Sequence, residues 1–218
     1  MRALLWIGLG GCLREEETPF PPGVEPWEAS TAPAPDEEPG EKYPEEVVFV
    51  TGEDDDYLWL HGRGYLHGDV AAAWAALSVP EAAVDRRGVT SYEIESDVEA
   101  GFDVSFAVHN VVEDIITLEF TNTWRQSVVD GDAEEPRVVA GVWQKTDGVS
   151  IIETLRGSVV LRETDERDRT EIELVEHLGA PQTDDVDLLC FNQDLFDNLA
   201  SLMRGGDLID VSGACIHE

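Results

Sequence analysis

Basic residues are scarce in this chain. Two lysines, Lys42 and Lys145, and twelve arginines stand against 47 acids, for a formal net charge of −33 over 218 residues. A surface of that sign repels phosphate, so DNA and RNA are not expected partners. It also repels anionic lipid headgroups, so membrane attachment has to come from something other than a basic patch. Long apolar runs are missing as well: no stretch approaches the ~18 apolar residues of a membrane-crossing helix. With three cysteines and no Cys-x₂-Cys pair, structural zinc has no framework. Gly-x-Ser-x-Gly, His-Glu-x-x-His, phosphate-loop and dinucleotide motifs are absent, so no cofactor is expected. Asp54-Asp55-Asp56 and Asp184-Asp185-x-Asp187 lack EF-hand spacing, and no metal is expected on them.

What is present begins at the N-terminus. Arg2 is followed by an apolar run, Ala3 to Leu9, and then by Leu9-Gly10-Gly11-Cys12. A positive start, a short apolar run and small residues before a cut describe a secretory signal peptide. The closing tetrapeptide resembles the lipobox of bacterial lipoproteins. That resemblance implies a signal peptide over 1–11, cleavage before Cys12, diacylation of the Cys12 thiol and a protein anchored to the cell envelope. Leu13 after the cysteine, rather than Asp, points by lipoprotein habit to the outer membrane. Each buried CH₂ adds about 0.8 kcal/mol of membrane affinity, so two or three chains anchor where one does not. Residues 13–46 then carry eight of the eleven prolines, eleven acids and two bases. Such a composition predicts a disordered, extended stalk over 12–46, with the folded domain at 47–218.

Within that domain Tyr57 to His67 reads as a strand, in which Gly62 and Gly64 suggest a bulge or bend. Asp69 is placed to cap a helix over Val70 to Leu77, and Pro80 to open a second short one at Glu81 to Val84. After Gly88 the period becomes two. Phe102, Val104, Phe106 and Val108 share a face, with His109 on the other. Ile116, Leu118, Phe120 and Trp124 repeat the device. Val149, Ile151, Leu155, Val159 and Leu161 extend it, and Ile172, Leu174 and Leu178 finish it. Alternation over successive strands means an antiparallel sheet with one buried face. Leu188, Leu195, Leu199 and Leu202, at helical spacing and ended by Gly205-Gly206, supply a long amphipathic helix.

The order is one strand, two short helices, six strands and a long helix. It resembles the START-like superfamily, the helix-grip or polyketide cyclase-like (SRPBCC) fold, over roughly residues 57–204. Gly68-Asp69-Val70 through Leu77 with Val79-Pro80-Glu81, and Gly157-Ser158-Val159-Val160-Leu161, carry the likeness. It implies an α+β domain in which a curved seven-stranded antiparallel sheet wraps the C-terminal helix and holds a lipid or other apolar molecule. Phe102, Phe106, Leu118, Phe120, Asn122, Trp124, Leu195 and Leu199 would then line the space. Glu153, between Ile151 and Leu155, would be a carboxylate among apolar neighbours, able to act as a general acid or to bind a ligand hydroxyl. Close packing by the same aromatics gives the rival reading, a structural or interaction module with a filled core. A cyclase- or hydrolase-like enzyme using Glu153 or a histidine is the third. His61 and His67, six residues apart, are too distant for a ligand pair, and the histidines read as satisfied or surface groups. With Cys12 lipidated, Cys190 and Cys215 form a disulfide in an oxidising compartment or remain two free thiols.

Overall fold

Among the described residues the alternation resolves into eight strands of a single sheet. The computed structural model describes residues 20–113, 116–181, 183–213 and 215, so Cys12 and the expected signal peptide over 1–11 lie outside the described residues. The strands are β1 (Val47–Glu53), β2 (Leu58–His67), β3 (Ser91–Ser96), β4 (Val104–Glu113), β5 (Thr117–Gly131), β6 (Pro136–Gly148), β7 (Thr154–Glu163) and β8 (Arg169–Gly179). Their order is β1-β2-β8-β7-β6-β5-β4-β3, antiparallel throughout. Helix α1 (Val70–Leu77) and a 3₁₀ turn (Pro80–Ala83) follow β2, and the long α2 (Asp185–Met203) closes the domain. The architecture is α+β, with the helix gripped by the sheet.

Two details depart from the expected order. The sheet has eight strands rather than seven, and the short helices follow the second. Gly62 and Gly64 explain the difference. β2 runs without a register break against both neighbours, so neither glycine marks a bulge. They make room instead. A side chain at Gly62 would sit 2.7 Å from the Phe49 ring, and one at Gly64 would collide with the Glu46 carbonyl and Val47. The missing side chains let β1 pair closely and lay Val47 and Phe49 against the core.

The expected disordered stalk also gives way over residues 20–46. Apart from an isolated bridge between Glu38 and Glu41 this segment has no regular structure, yet it is pinned along the outer face of the sheet. Trp27 Nε1 donates to the Gly157 carbonyl at 3.0 Å and Ser30 Oγ to that of Gly62 at 3.0 Å. Phe20 lies 3.7 Å from the Arg125 guanidinium, and Ala32 is buried. Lys42 and Tyr43 both donate to Asp165. A composition rule counts aliphatic residues, whereas this strap is held by aromatic and polar anchors.

Local signals place the helices. Asp69 accepts from Ala72 N at 2.8 Å and starts α1. Asp184 and Asp187 form a reciprocal capping box at the head of α2. Gln126, fully buried on β5, ends α1: its Nε2 donates to Leu77 O at 3.0 Å and its Oε1 accepts from Trp74 Nε1 at 3.1 Å. Beneath α2 the core is a stack of rings. Phe106 and Trp124 lie 5.7 Å apart and Trp124 and Trp143 4.2 Å apart, and Phe191 of α2 meets Trp143 edge-on. Cys190 in α2 is joined to Cys215 in the tail, with Cα atoms 5.3 Å apart, inside the usual range for a disulfide.

Candidate functional site

The ring stack does not fill the space between sheet and helix. Toward the N-terminal end of α2 the two part around a cavity of about 230 Å³. Its apolar walls are Val108 of β4, Leu118, Phe120 and Trp124 of β5, Trp143 of β6, Leu155 of β7, Leu178 of β8, and Leu188 and Phe191 of α2. Alternation supplies these walls, since each strand sends every second side chain inward. Six polar residues interrupt the lining: Asp85, Asn110, Asn122, Glu176, Thr183 and Asp187.

Of the residues expected to line such a space, Leu118, Phe120, Asn122 and Trp124 do so. Phe106, Leu195 and Leu199 do not reach the wall; they are sealed in the core, Phe106 against Trp124. Phe102 precedes β4 and faces the Arg125 guanidinium 5.1 Å away, on the side where Phe20 also stacks. Glu153 is exposed. Alternation through Val149, Ile151 and Leu155 assumed one continuous strand, but 149–153 turn between β6 and β7, which begins only at Thr154. The turn changes the phase: Ile152 is buried, Ile151 is exposed, and Glu153 borders a separate depression with Asp54, Asp55 and Asp56.

The buried carboxylate is Glu176. It is only 4% exposed and extends the inward series of Ile172 and Leu174 on β8. Burial pushes its carboxyl up to about 8; the Asn192 hydrogen bond opposes this and the Asp85 charge adds to it. Asn192 Nδ2, from the buried face of α2, donates to Glu176 Oε2 at 2.5 Å and to Leu188 O at 2.9 Å. Asp85 is raised as well, by burial, against the lowering hydrogen bonds from the Gly88 and Arg87 amides. Asn122 Oδ1, Asn192 Oδ1 and Trp124 Nε1 are buried without a hydrogen-bond partner. Asn122 and Trp124 line the cavity, so their two atoms are open to a hydrogen bond with an occupant. The sequence signal for Glu176 was the gap between Leu174 and Leu178, and for Asn192 the one between Leu188 and Leu195.

A second cluster lies on the outer face under the strap, where Glu28, His61 and His177 bring one ligand atom each within 4.8 Å of one another. Glu28 Oε1 is 3.1 Å from His61 Nε2 and 2.6 Å from His177 Nε2. The opposite ring nitrogens decide the chemistry. His61 Nδ1 accepts from the Thr31 amide at 3.1 Å, and His177 Nδ1 accepts from Arg156 Nε at 3.1 Å. Both Nδ1 atoms face obligatory donors, so in the neutral rings both Nε2 atoms carry the proton and donate to Glu28. A metal would need those Nε2 lone pairs and would force Nδ1–H against N–H. The trio therefore reads as a fastener. Burial holds the His177 pKa down, with Glu28 opposing and Arg156 assisting, and the two histidines hold Glu28 below its usual range despite desolvation.

The sign of the pH effect follows. A depressed histidine and a depressed carboxylate both stabilise the closed strap above their unfolded values and release it as pH falls, here from about 6.5 downward. Glu28→Gln is expected to raise the rate of Glu-C endoproteinase cleavage within 20–46 at pH 7 about tenfold or more, the equivalent of losing hydrogen bonds to a charged acceptor. Wild-type protein should approach the variant as pH is lowered to 4, read by mass spectrometry of the fragments against a reference peptide.

No family model matches the sequence, and no curated protein does. Solved structures align with it at low identity. The human StarD13 lipid transfer and protein localization domain aligns over 72% of this chain and 88% of its own, with 6% identity and a TM-score of 0.44. Ara h 8.0201 aligns over 74% of this chain and all of its own, with 16% identity and a TM-score of 0.44. A protein from Arthrobacter aurescens aligns over 75% and 96%, with 10% identity and a TM-score of 0.46. These likenesses concern the path of the backbone, and no residue role is carried across from them.

Proposed function

We propose that this domain takes up a lipid or another apolar small molecule between sheet and α2, and that lipidation of Cys12 holds it at the bacterial outer membrane. The cavity carries the first part. At about 230 Å³ it exceeds the ~150 Å³ apolar cavity that admits benzene, and its walls are aromatic and aliphatic with a few convergent polar groups. Binding rather than turnover is the reading the lining supports: among the described residues it contains no serine, cysteine or histidine, and its one hydroxyl there, Thr183 Oγ1, already donates to Ala180 O. The Arg2-to-Cys12 pattern supports the second part, and the acidity of the chain leaves an acyl anchor as the means of attachment.

Titration with N-phenyl-1-naphthylamine, a neutral dye that brightens in apolar surroundings, tests the uptake. Wild-type protein should bind it saturably, and Leu118→Trp, which grows a wall into the space, should weaken binding about tenfold or more, the effect of a few lost methylene contacts. Equal uptake by both proteins contradicts this reading. For the tether, full-length protein expressed with its own leader should partition into detergent phase and Cys12→Ala should remain aqueous.

A further inference from the structure

The polar part of the cavity is one-sided. Three carboxyl groups line it, Asp85 before β3, Glu176 on β8 and Asp187 in the first turn of α2, and no lysine, arginine or histidine joins them among the described residues. Three nearby cations are committed elsewhere: Arg87 to Asp194, Arg86 to Asn198, and Lys145, the β6 partner of Asn122, to the Val149 and Ile152 carbonyls; none of the three lines the space. Asn122 adds an unpartnered buried acceptor, Oδ1. The Asn110 amide is spent on the Val108 carbonyl. Trp124 Nε1 is a donor, but a neutral one. An anionic head would meet carboxyl oxygens with no counter-charge in the lining, and burying an unpaired charge is far costlier than burying a neutral polar group.

We infer that the cavity selects amphiphiles with a cationic amine head and rejects those ending in carboxylate or phosphate, with Glu176 as the group that receives the amine. This inference rests on the reading of the cavity as a binding site and narrows it to one ligand class. Asn192 occupies Glu176 Oε2, which leaves the other carboxyl oxygen for the ligand. The residues paired with Glu176 on the adjacent strands, Leu60 and Gly157, bring no charge, and Asp85 acts on it from the loop before β3. An empty site near pH 7 holds Glu176 protonated. Seating an ammonium ion favours the carboxylate, so the Glu176 proton passes to solvent and an ion pair forms with Asn192 still donating. The net charge of −33 raises the local concentration of any cation and acts in the same sense.

Displacement of the bound dye by dodecylamine, dodecanol and dodecanoate at 0.15 M salt tests this directly, since the three share a tail and the displaced dye reports the cavity rather than the acidic surface. The expected order is amine, then alcohol, then carboxylate. An ion-paired hydrogen bond is worth about tenfold to a hundredfold in affinity, so Glu176→Gln should shrink the amine-to-alcohol ratio by about that factor. Amine affinity should also rise from pH 6 to pH 8 in wild type and lose that slope in Glu176→Gln, because dodecylamine stays charged throughout. Dodecanoate binding as tightly as dodecylamine would overturn the charge selectivity while leaving apolar uptake intact. An unchanged amine-to-alcohol ratio in Glu176→Gln would assign the preference to general surface charge and overturn the role of Glu176. Failure of all three to displace the dye, or of the dye to bind, overturns the binding reading itself.

Discussion

Arg87→Met is expected to destabilise the domain by about 3–5 kcal/mol, the cost of stranding a buried charge. Arg87 sits in the loop before β3 and grips α2 with a fork: Nε donates to Asp194 Oδ2 at 2.6 Å and Nη2 to Oδ1 at 2.9 Å. The Asp194 side chain is only 10% exposed, so without its partner it would hold an uncompensated charge against α2. The loss extends to the tail, because Arg87 Nη1 also donates to the carbonyls of Val211, at 2.7 Å, and Gly213. Guanidinium unfolding with the disulfide intact measures the effect. The double variant Arg87→Met with Asp194→Leu separates two explanations. An apolar replacement for a buried pair is close to neutral, so the double variant should recover most of the loss. A double variant as weak as the single one would show that the tail contacts, rather than the charge on Asp194, carry the effect.

Glu176→Gln should act in the opposite direction, and increasingly as pH rises. The Glu176 carboxyl is raised to about 8 in the folded chain, against an ordinary value of 4.5. A group raised on folding contributes stability that is full below its unfolded value and is lost as pH climbs through the folded one. Wild type should therefore lose ground to the glutamine variant from about pH 4.5 upward, level off beyond about 8, and lie a few kcal/mol below it at pH 9. Repulsion among the other acids also erodes stability as pH rises, but it is common to both proteins and cancels in the difference. Denaturant unfolding of the pair at pH 5, 7 and 9 reads it. Parallel curves would mean that Glu176 is ionised and solvated in the native domain.

Local rules carried the sequence reading where the physics was local. The Asp69 cap, the Val70-to-Leu77 helix and the alternation on β4 depend on neighbours within a turn or along a strand, and the structure has them there. The failures needed distant information. The run Val47-Val48-Phe49-Val50-Thr51 before Gly52 carries strand propensity of its own, but its pairing with β2 depends on glycines there leaving room for Phe49. Glu28, His61 and His177 meet across sequence separations of 33 and 149 residues. Glu153 was misplaced because a period-two count was carried through a turn. Glu176 was within reach as an acid inside an apolar series. The cavity itself was not, since whether Phe106, Trp124 and Trp143 close the space or leave some of it open depends on how residues far apart in sequence pack between α2 and the sheet.

Methyl NMR chemical shifts during titration with dodecanol test the central claim, that the space between sheet and helix admits an apolar chain. Four leucines line it, Leu118, Leu155, Leu178 and Leu188, while Leu66 and Leu161 belong to the sealed core and do not line it, and Ile116, Val129 and Ile151 stand on the surface. The expected result is saturable shifts at the four lining leucines, small ones at Leu66 and Leu161, and none at the surface methyls. Shifts confined to Ile116, Val129 and Ile151, or no shifts at the solubility limit of the alcohol, would contradict the account and leave a domain with a closed interior.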